Sequence, residues 1–127
     1  MNADVRTITG SCLCGGVRYR ASGELRGIIN CFCGQCQKTS GHHFAATRVA
    51  QADFELLSDS TLTWYRSSPG ARRGFCRRCG GNLFWEKEGL DTISITAGTI
   101  DKPTGLAVID NIYVEDANDY HIIPELK

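Results

Sequence analysis

Seven cysteines in three tight groups constrain this chain more than any other feature of its sequence. They stand at positions 12, 14, 31, 33, 36, 76 and 79 of a 127-residue chain. An odd number cannot pair completely within one chain. The N-terminal residues show no charged stretch leading into an apolar run, the pattern of an export signal. The expected compartment is therefore a reducing cytoplasm. There thiols stay free, and clustered cysteines bind metal or do redox chemistry.

The three groups have spacings that suit a metal ion. Cys12 and Cys14 lie in Ser11-Cys12-Leu13-Cys14-Gly15-Gly16, and Cys31, Cys33 and Cys36 in Asn30-Cys31-Phe32-Cys33-Gly34-Gln35-Cys36. Cys76 and Cys79 lie in Phe75-Cys76-Arg77-Arg78-Cys79-Gly80-Gly81. A CxC or CxxC turn aims two sulfurs at one point, and the glycine after each outer pair permits the positive φ that such turns use. Two pairs from separate strands close a tetrahedral four-sulfur zinc site, which assigns Cys12, Cys14, Cys76 and Cys79 to a structural ion. Cys31, Cys33 and Cys36 remain, close enough in sequence to hold a second zinc with its fourth position open to water or substrate, the pattern of a catalytic site. Spacing alone also permits other pairings of the groups, a single zinc ribbon with three spare buried cysteines, or an iron–sulfur cluster. A redox CxxC expects a βαβ setting, whereas Cys76 and Cys79 stand between two strand-like runs.

The open triplet carries a chemical bias. Three thiolates around Zn2+ leave a net negative charge, which weakens the ion as a generator of hydroxide. A soft sulfur ligand suits it better, and coordination would keep that thiol deprotonated near neutral pH. Chemistry at a carbon–sulfur bond follows from the donor set.

Elsewhere the apolar pattern has mostly period two. Val17 and Tyr19 alternate with Arg18 and Arg20, Leu62 and Trp64 with Thr61, Thr63 and Tyr65, and Ile93 and Ile95 with Thr92, Ser94 and Thr96. Such alternation marks half-buried strands. Further strands are expected at 28–31, 44–49, 54–57, 73–76, 83–86 and 106–114, with short helical turns only at 34–40 and 114–120. Turn sequences separate them. The expected fold is one mainly β domain over residues 1–127, a zinc-containing sandwich or barrel. Fourteen basic residues balance fourteen acidic ones, which argues against a polybasic surface for nucleic acid or membrane. No apolar run is long enough for a membrane-spanning helix.

These motifs, in this order, resemble the glutathione-dependent formaldehyde-activating enzyme family, which includes centromere protein V. The likeness rests on Gly10-Ser11-Cys12-Leu13-Cys14-Gly15-Gly16-Val17-Arg18-Tyr19, on Asn30-Cys31-Phe32-Cys33-Gly34-Gln35-Cys36-Gln37-Lys38-Thr39-Ser40-Gly41, and on Phe75-Cys76-Arg77-Arg78-Cys79-Gly80-Gly81-Asn82-Leu83-Phe84-Trp85. Ala97-Gly98-Thr99-Ile100-Asp101-Lys102-Pro103 and Asn111-Ile112-Tyr113-Val114 add to it. The resemblance implies a mainly β fold with two zinc ions, a structural one on four cysteines and a second on three that is linked to substrate thiol chemistry. It also implies carbon–sulfur lyase activity, with formaldehyde and glutathione as the family's named substrates. Two positions depart from the family pattern: Phe32 stands where histidine is common, and Gln37 where arginine is.

Around the triplet, Lys38, Arg72 and Arg73 are candidates to receive the carboxylates of a glutathione-like thiol, against the plainer reading of a solvated charged face. His42, with His43 beside it, is a candidate proton carrier or fourth ligand, against the commoner reading of histidines that simply flank a strand. Trp64, Phe84 and Trp85 read as core. The sequence thus points to a zinc enzyme acting on the thiol adduct of a small aldehyde, with a small-molecule partner and room for a homodimer. The alternative is a non-catalytic binding module that zinc merely stabilises.

Overall fold

Alternation of apolar and polar residues becomes two facing β-sheets in the computed structural model, which describes residues 4–126. Met1–Ala3, part of the segment inspected for an export signal, lie outside the described residues. The strands are β1 (Asp4–Ser11), β2 (Val17–Leu25), β3 (Ile28–Cys31), β4 (Phe44–Ala50), β5 (Phe54–Asp59), β6 (Leu62–Ser68), β7 (Ala71–Cys76), β8 (Asn82–Lys87), β9 (Thr92–Thr96) and β10 (Val108–Ile112). One helix, α1 (Gly34–Ser40), follows β3. The smaller sheet has the order β1-β2-β5, and the larger β10-β3-β4-β9-β8-β7-β6. All pairings are antiparallel except β10 with β3, which is parallel.

The main core lies between the sheets. Ile8, Val17, Tyr19, Ala21 and Leu25 from the smaller sheet meet Val49, Leu83, Phe84, Ile93 and Ile95 from the larger one. Tyr19, Phe54 and Phe84 form its aromatic centre, with Tyr19 edge-on to Phe84 at 5.5 Å between centroids. The Tyr19 ring passes directly over Gly10, where any Cβ would overlap its hydroxyl end. That hydroxyl lies 2.8 Å from Thr99 Oγ1. The mainly β expectation holds.

Several boundaries differ from the sequence expectation. β1 was not foreseen, because no turn sequence marks its start. The strand expected at 106–114 shortens to Val108–Ile112. The helical turn expected at 114–120 is reduced to one 3-10 turn, Val114–Asp116. α1 matches its expected span. The Cys33 sulfur caps its first turn by accepting the Cys36 backbone N–H, and Gly41 ends it at φ 80°.

The outer face of the larger sheet holds a second, smaller apolar cluster. Cys36, Phe44 and Ala46 are buried there, with Cys31, Cys33 and Trp85 packed against them. The triplet thus sits on the far side of the sheet from the main core.

Candidate metal and thiol centre

Each paired-cysteine motif folds as a tight knuckle. After Cys12 the chain turns back so that Cys12 N–H reaches Val17 O at 3.1 Å, Gly15 adopts φ 80°, and Val17 N–H points at Cys12 Sγ at 3.4 Å. After Cys76 the same device recurs: Gly80 N–H bonds Cys76 O at 2.8 Å, Gly80 has φ 78°, and Cys79 N–H points at Cys76 Sγ at 3.4 Å. Glycine is required at both turns because a side chain there would be strained.

The knuckles face each other. Cys14 Sγ lies 3.6 Å from Cys76 Sγ and 3.7 Å from Cys12 Sγ, and all four sulfurs of Cys12, Cys14, Cys76 and Cys79 fall within 4.8 Å of one another. Zn–S bonds of ~2.3 Å in a tetrahedron require S···S edges of about 3.8 Å. The donor set therefore fits a four-coordinate ion, and the separations exclude S–S bonds. Cys12 follows β1 of the smaller sheet while Cys76 and Cys79 link β7 and β8 of the larger one, so this group ties the two sheets together.

The surroundings bias these thiols unequally. The Thr61 hydroxyl, 3.1 Å from Cys76 Sγ, is the main cause that brings the Cys76 thiol down to about 5. The Gly16 backbone N–H and then the Arg78 guanidinium, whose Nε lies 3.4 Å from Cys14 Sγ, lower Cys14. Burial raises Cys12. Hydrogen bonds that favour the thiolate are the outer support that metal ligands use. Arg77 turns away and donates to Ser60 O at 2.8 Å.

The second group is Cys31, Cys33 and Cys36, again with sulfurs within 4.8 Å of one another. Among the described residues this group contains no fourth histidine, cysteine or carboxylate. Cys31 ends β3, Cys33 caps α1, and Cys36 lies one turn into it, so a strand end and a helix start converge on one point. Cys36 donates toward Cys31, which lowers the Cys31 thiol and, with burial, raises that of Cys36. Arg73 Nη2 approaches Cys36 Sγ at 3.5 Å. Three soft donors with one side free of protein ligands fit an open zinc position.

The other sequence candidates take distinct places. Arg73 is buried beside the triplet. Arg72 is exposed on the opposite face of β7, with Nη2 2.6 Å from Glu86 Oε1 and its guanidinium 3.9 Å from the Trp64 ring centroid. Lys38 is exposed on α1. Of the aromatics read as core, Phe84 is fully buried and Trp64 half-buried against it, whereas Trp85 packs beside the triplet. Gln37, at the position where the family pattern has arginine, donates to Phe32 O and Asp116 O at 2.8 Å each.

His42 joins a separate group with His43 and His121 rather than the triplet. Its ring stacks on His121 at 4.5 Å and on Tyr120 at 5.6 Å between centroids. Phe32 packs against His43 and His121. His121 accepts the Asn118 backbone N–H on Nδ1 at 2.9 Å, and since a carbonyl only accepts, its Nε2 donates to His42 O at 3.2 Å. Both nitrogens of His121 are thus committed within the protein. Burial, then the neighbouring His42 and His121, lowers the His43 ring from its ordinary range.

Sequence reasoning missed Gln35, Thr61 and His121. Thr61 stands 15 residues from Cys76 and His121 79 residues from the His42 carbonyl it meets. No local pattern marks such pairs. Gln35 lay inside a recognised motif, but its link to Arg73 crosses from helix to sheet.

With this geometry in place, residues 7–116 match the family model described as glutathione-dependent formaldehyde-activating enzyme. The chain belongs to that family. The match spans every cysteine of both groups. The fold is also similar to that in a crystal structure of a Rhodobacter sphaeroides protein, 21% identical, with a TM-score of 0.66 over 81% of this chain and 98% of that one. No helix among the described residues is long and apolar enough to cross a membrane.

Proposed function

We propose that the chain is a zinc-dependent carbon–sulfur lyase of the cytoplasm that makes or breaks the adduct of a thiol with a small aldehyde such as formaldehyde. The observation that carries this reading is the division of seven cysteines into a four-sulfur group between the sheets and a three-sulfur group at the outer face. The family match supports glutathione as the thiol.

Cys12, Cys14, Cys76 and Cys79 would hold a structural zinc, and Cys31, Cys33 and Cys36 a second. The second ion supplies, when bound, a soft Lewis acid that favours sulfur as thiolate at neutral pH. The protein's own residues do the rest. Phe44 and Trp85 give the triplet an apolar flank that excludes water. Arg73 sets a positive charge against Cys36 and offsets the excess negative charge of three thiolates. Lys38, exposed on α1, would meet a carboxylate of a larger thiol at the rim, whereas Arg72 faces away from the triplet and pairs with Glu86. In the forward direction the sulfur adds to the carbonyl carbon, the C–S bond forms, the π pair moves to oxygen, and the proton lost by the thiol ends on that oxygen. The reverse reaction returns thiol and aldehyde.

Nuclear magnetic resonance with 13C-formaldehyde and glutathione tests the reading directly. Protein holding two zinc ions is expected to accelerate exchange between aldehyde and hydroxymethyl thioether, and Cys33→Ser to abolish that acceleration. A two-zinc protein that leaves the exchange rate unchanged would instead make both ions structural supports of a binding module.

A further inference from the structure

Arg73 is the only charged side chain buried among the described residues, 5% exposed, and its hydrogen bonding is incomplete. Its Nη2 is occupied, donating to Gln35 Oε1 at 3.0 Å and approaching Cys36 Sγ at 3.5 Å. Its Nε and Nη1 are buried with no protein partner. Nearby, Ser67 Oγ is also buried without one. Gln35 connects these residues, since its Nε2 donates to Ser67 O at 2.9 Å while its Oε1 holds Arg73. The Phe44 ring, 5.2 Å from the guanidinium carbon, packs against the same group. Idle donors on a buried cation are rare in folded proteins because they forgo hydrogen bonds that water would have made. Here they belong to a side chain held by two residues of α1, Gln35 and Cys36, and by the Phe44 ring, directly beside a thiol triplet.

We infer that the idle donors of Arg73 receive a substrate oxygen that lies one or two bonds from the carbon next to the sulfur. The site then selects sulfur compounds with an oxygen one or two bonds from that carbon: hydroxymethyl thioethers and α-mercapto carboxylates. This rests on the reading of the triplet as the thiol-binding centre. Carboxylates far along a peptide thiol cannot reach so deeply buried a group and fall to Lys38 on the exposed face of α1. As the C–S bond forms, charge collects on the former carbonyl oxygen before the thiol's proton arrives, and fixed donors aimed at that atom stabilise it. Arg73 keeps its own protons throughout. In the reverse direction the hydroxyl proton leaves, the carbonyl reforms and the C–S bonding pair returns to sulfur. Gln35 acts through Arg73 as a positioning residue.

Calorimetric titration of the metal-loaded protein with mercaptoacetate and with ethanethiol tests this, alongside the visible bands of the cobalt-substituted protein. Ethanethiol is expected to shift the cobalt bands, and mercaptoacetate to bind about tenfold tighter or more, as a charge-assisted hydrogen bond gives. Arg73→Gln should bring the two thiols to within about twofold. Arg73→Lys and Gln35→Ala, which retain the positive charge, should each keep part of the preference, and they carry the test if the first variant does not fold. Cobalt bands that respond to ethanethiol, with no preference for mercaptoacetate or with a preference that survives all three variants, would overturn this inference alone. Bands indifferent to every thiol would overturn the thiol-centre reading and this inference with it.

Discussion

Thr61 Oγ1 lies 3.1 Å from Cys76 Sγ, and the room for it comes from Gly16, where any Cβ would overlap the threonine side chain. A residue of a turn in one sheet thus shapes the proton affinity of a cysteine in the other. The Cys76 thiol is depressed to about 5 from an ordinary value of 9.0, mainly by this hydroxyl. A depressed thiol stabilises the assembled group fully above its unfolded value, and that contribution is lost as pH falls through about 5. Thr61→Val removes the hydroxyl and keeps the shape. Protons then compete better for Cys76, and the pH midpoint for zinc release is expected to rise by about half a unit or more. Release is followed with a chromogenic chelator. An unmoved midpoint would show that the Thr61 contact does not govern the thiol.

The four-sulfur group bridges the sheets, so metal binding there is folding energy. Cys79→Ser or Cys12→Ser is expected to lose one zinc per chain and to lower the melting temperature by about 10 °C or more. Thermal melting with metal analysis checks both numbers together. Variants that melt like the parent would remove these residues from any structural site.

Cys33→Ser should behave differently. Its group joins residues only five apart in the chain, so it cross-links little of the fold. The second zinc is expected to be lost or weakened while circular dichroism stays that of the parent and melting falls by only a few degrees, about what one helix cap contributes. Global unfolding of this variant would make the triplet structural.

Tyr19 provides a test at the alkaline end. Burial, the largest effect, raises its phenol above the ordinary 10.0, and Asp101 adds to this against the opposing hydrogen bond from Thr99. A raised group contributes stability that is whole below its unfolded value and is lost as pH climbs above it. The parent is therefore expected to lose stability above about pH 10 with a dependence that Tyr19→Phe reduces. The same variant costs about 1 kcal/mol at pH 7 through the lost Thr99 bond. Urea unfolding at pH 7 and pH 11 separates the two effects, and an unchanged pH dependence would refute the assignment.

Both cysteine groups could be read from spacing, because a knuckle is a local object: its two sulfurs, its glycine and its turn all lie within about six residues. α1 was legible for the same reason. Strands with clear alternation, such as those around Tyr19, Trp64 and Ile95, were legible through their faces. β1 was not, and neither was the pairing that sets β10 beside β3, since register between distant segments leaves no mark in either. The site shows the same divide. Arg73 appeared in sequence as one of two adjacent arginines, and only the pleat of β7 separates them, sending Arg72 to solvent beside Glu86 and Arg73 beneath α1. Which of the two goes inward depends on the strand's register with β6 and β8, a property no single segment specifies.

The parallel pairing of β10 with β3 has a consequence for the order of events as the chain leaves the ribosome. Cys31 is aligned with Ile112, and the next residue, Phe32, bonds Ile112 O through its backbone N–H at 3.0 Å. The four-sulfur group has all its residues once position 79 has emerged, whereas the strand leading into the triplet keeps an unpaired edge until some thirty further residues have been added. Contacts this distant in sequence form late. The first zinc is therefore available to organise the nascent fold before the second centre acquires its full backbone support. A chain stalled or cut before Val108 would carry a complete structural staple and a reactive thiol triplet on an unpaired strand, a state open to oxidation and to pairing with another chain.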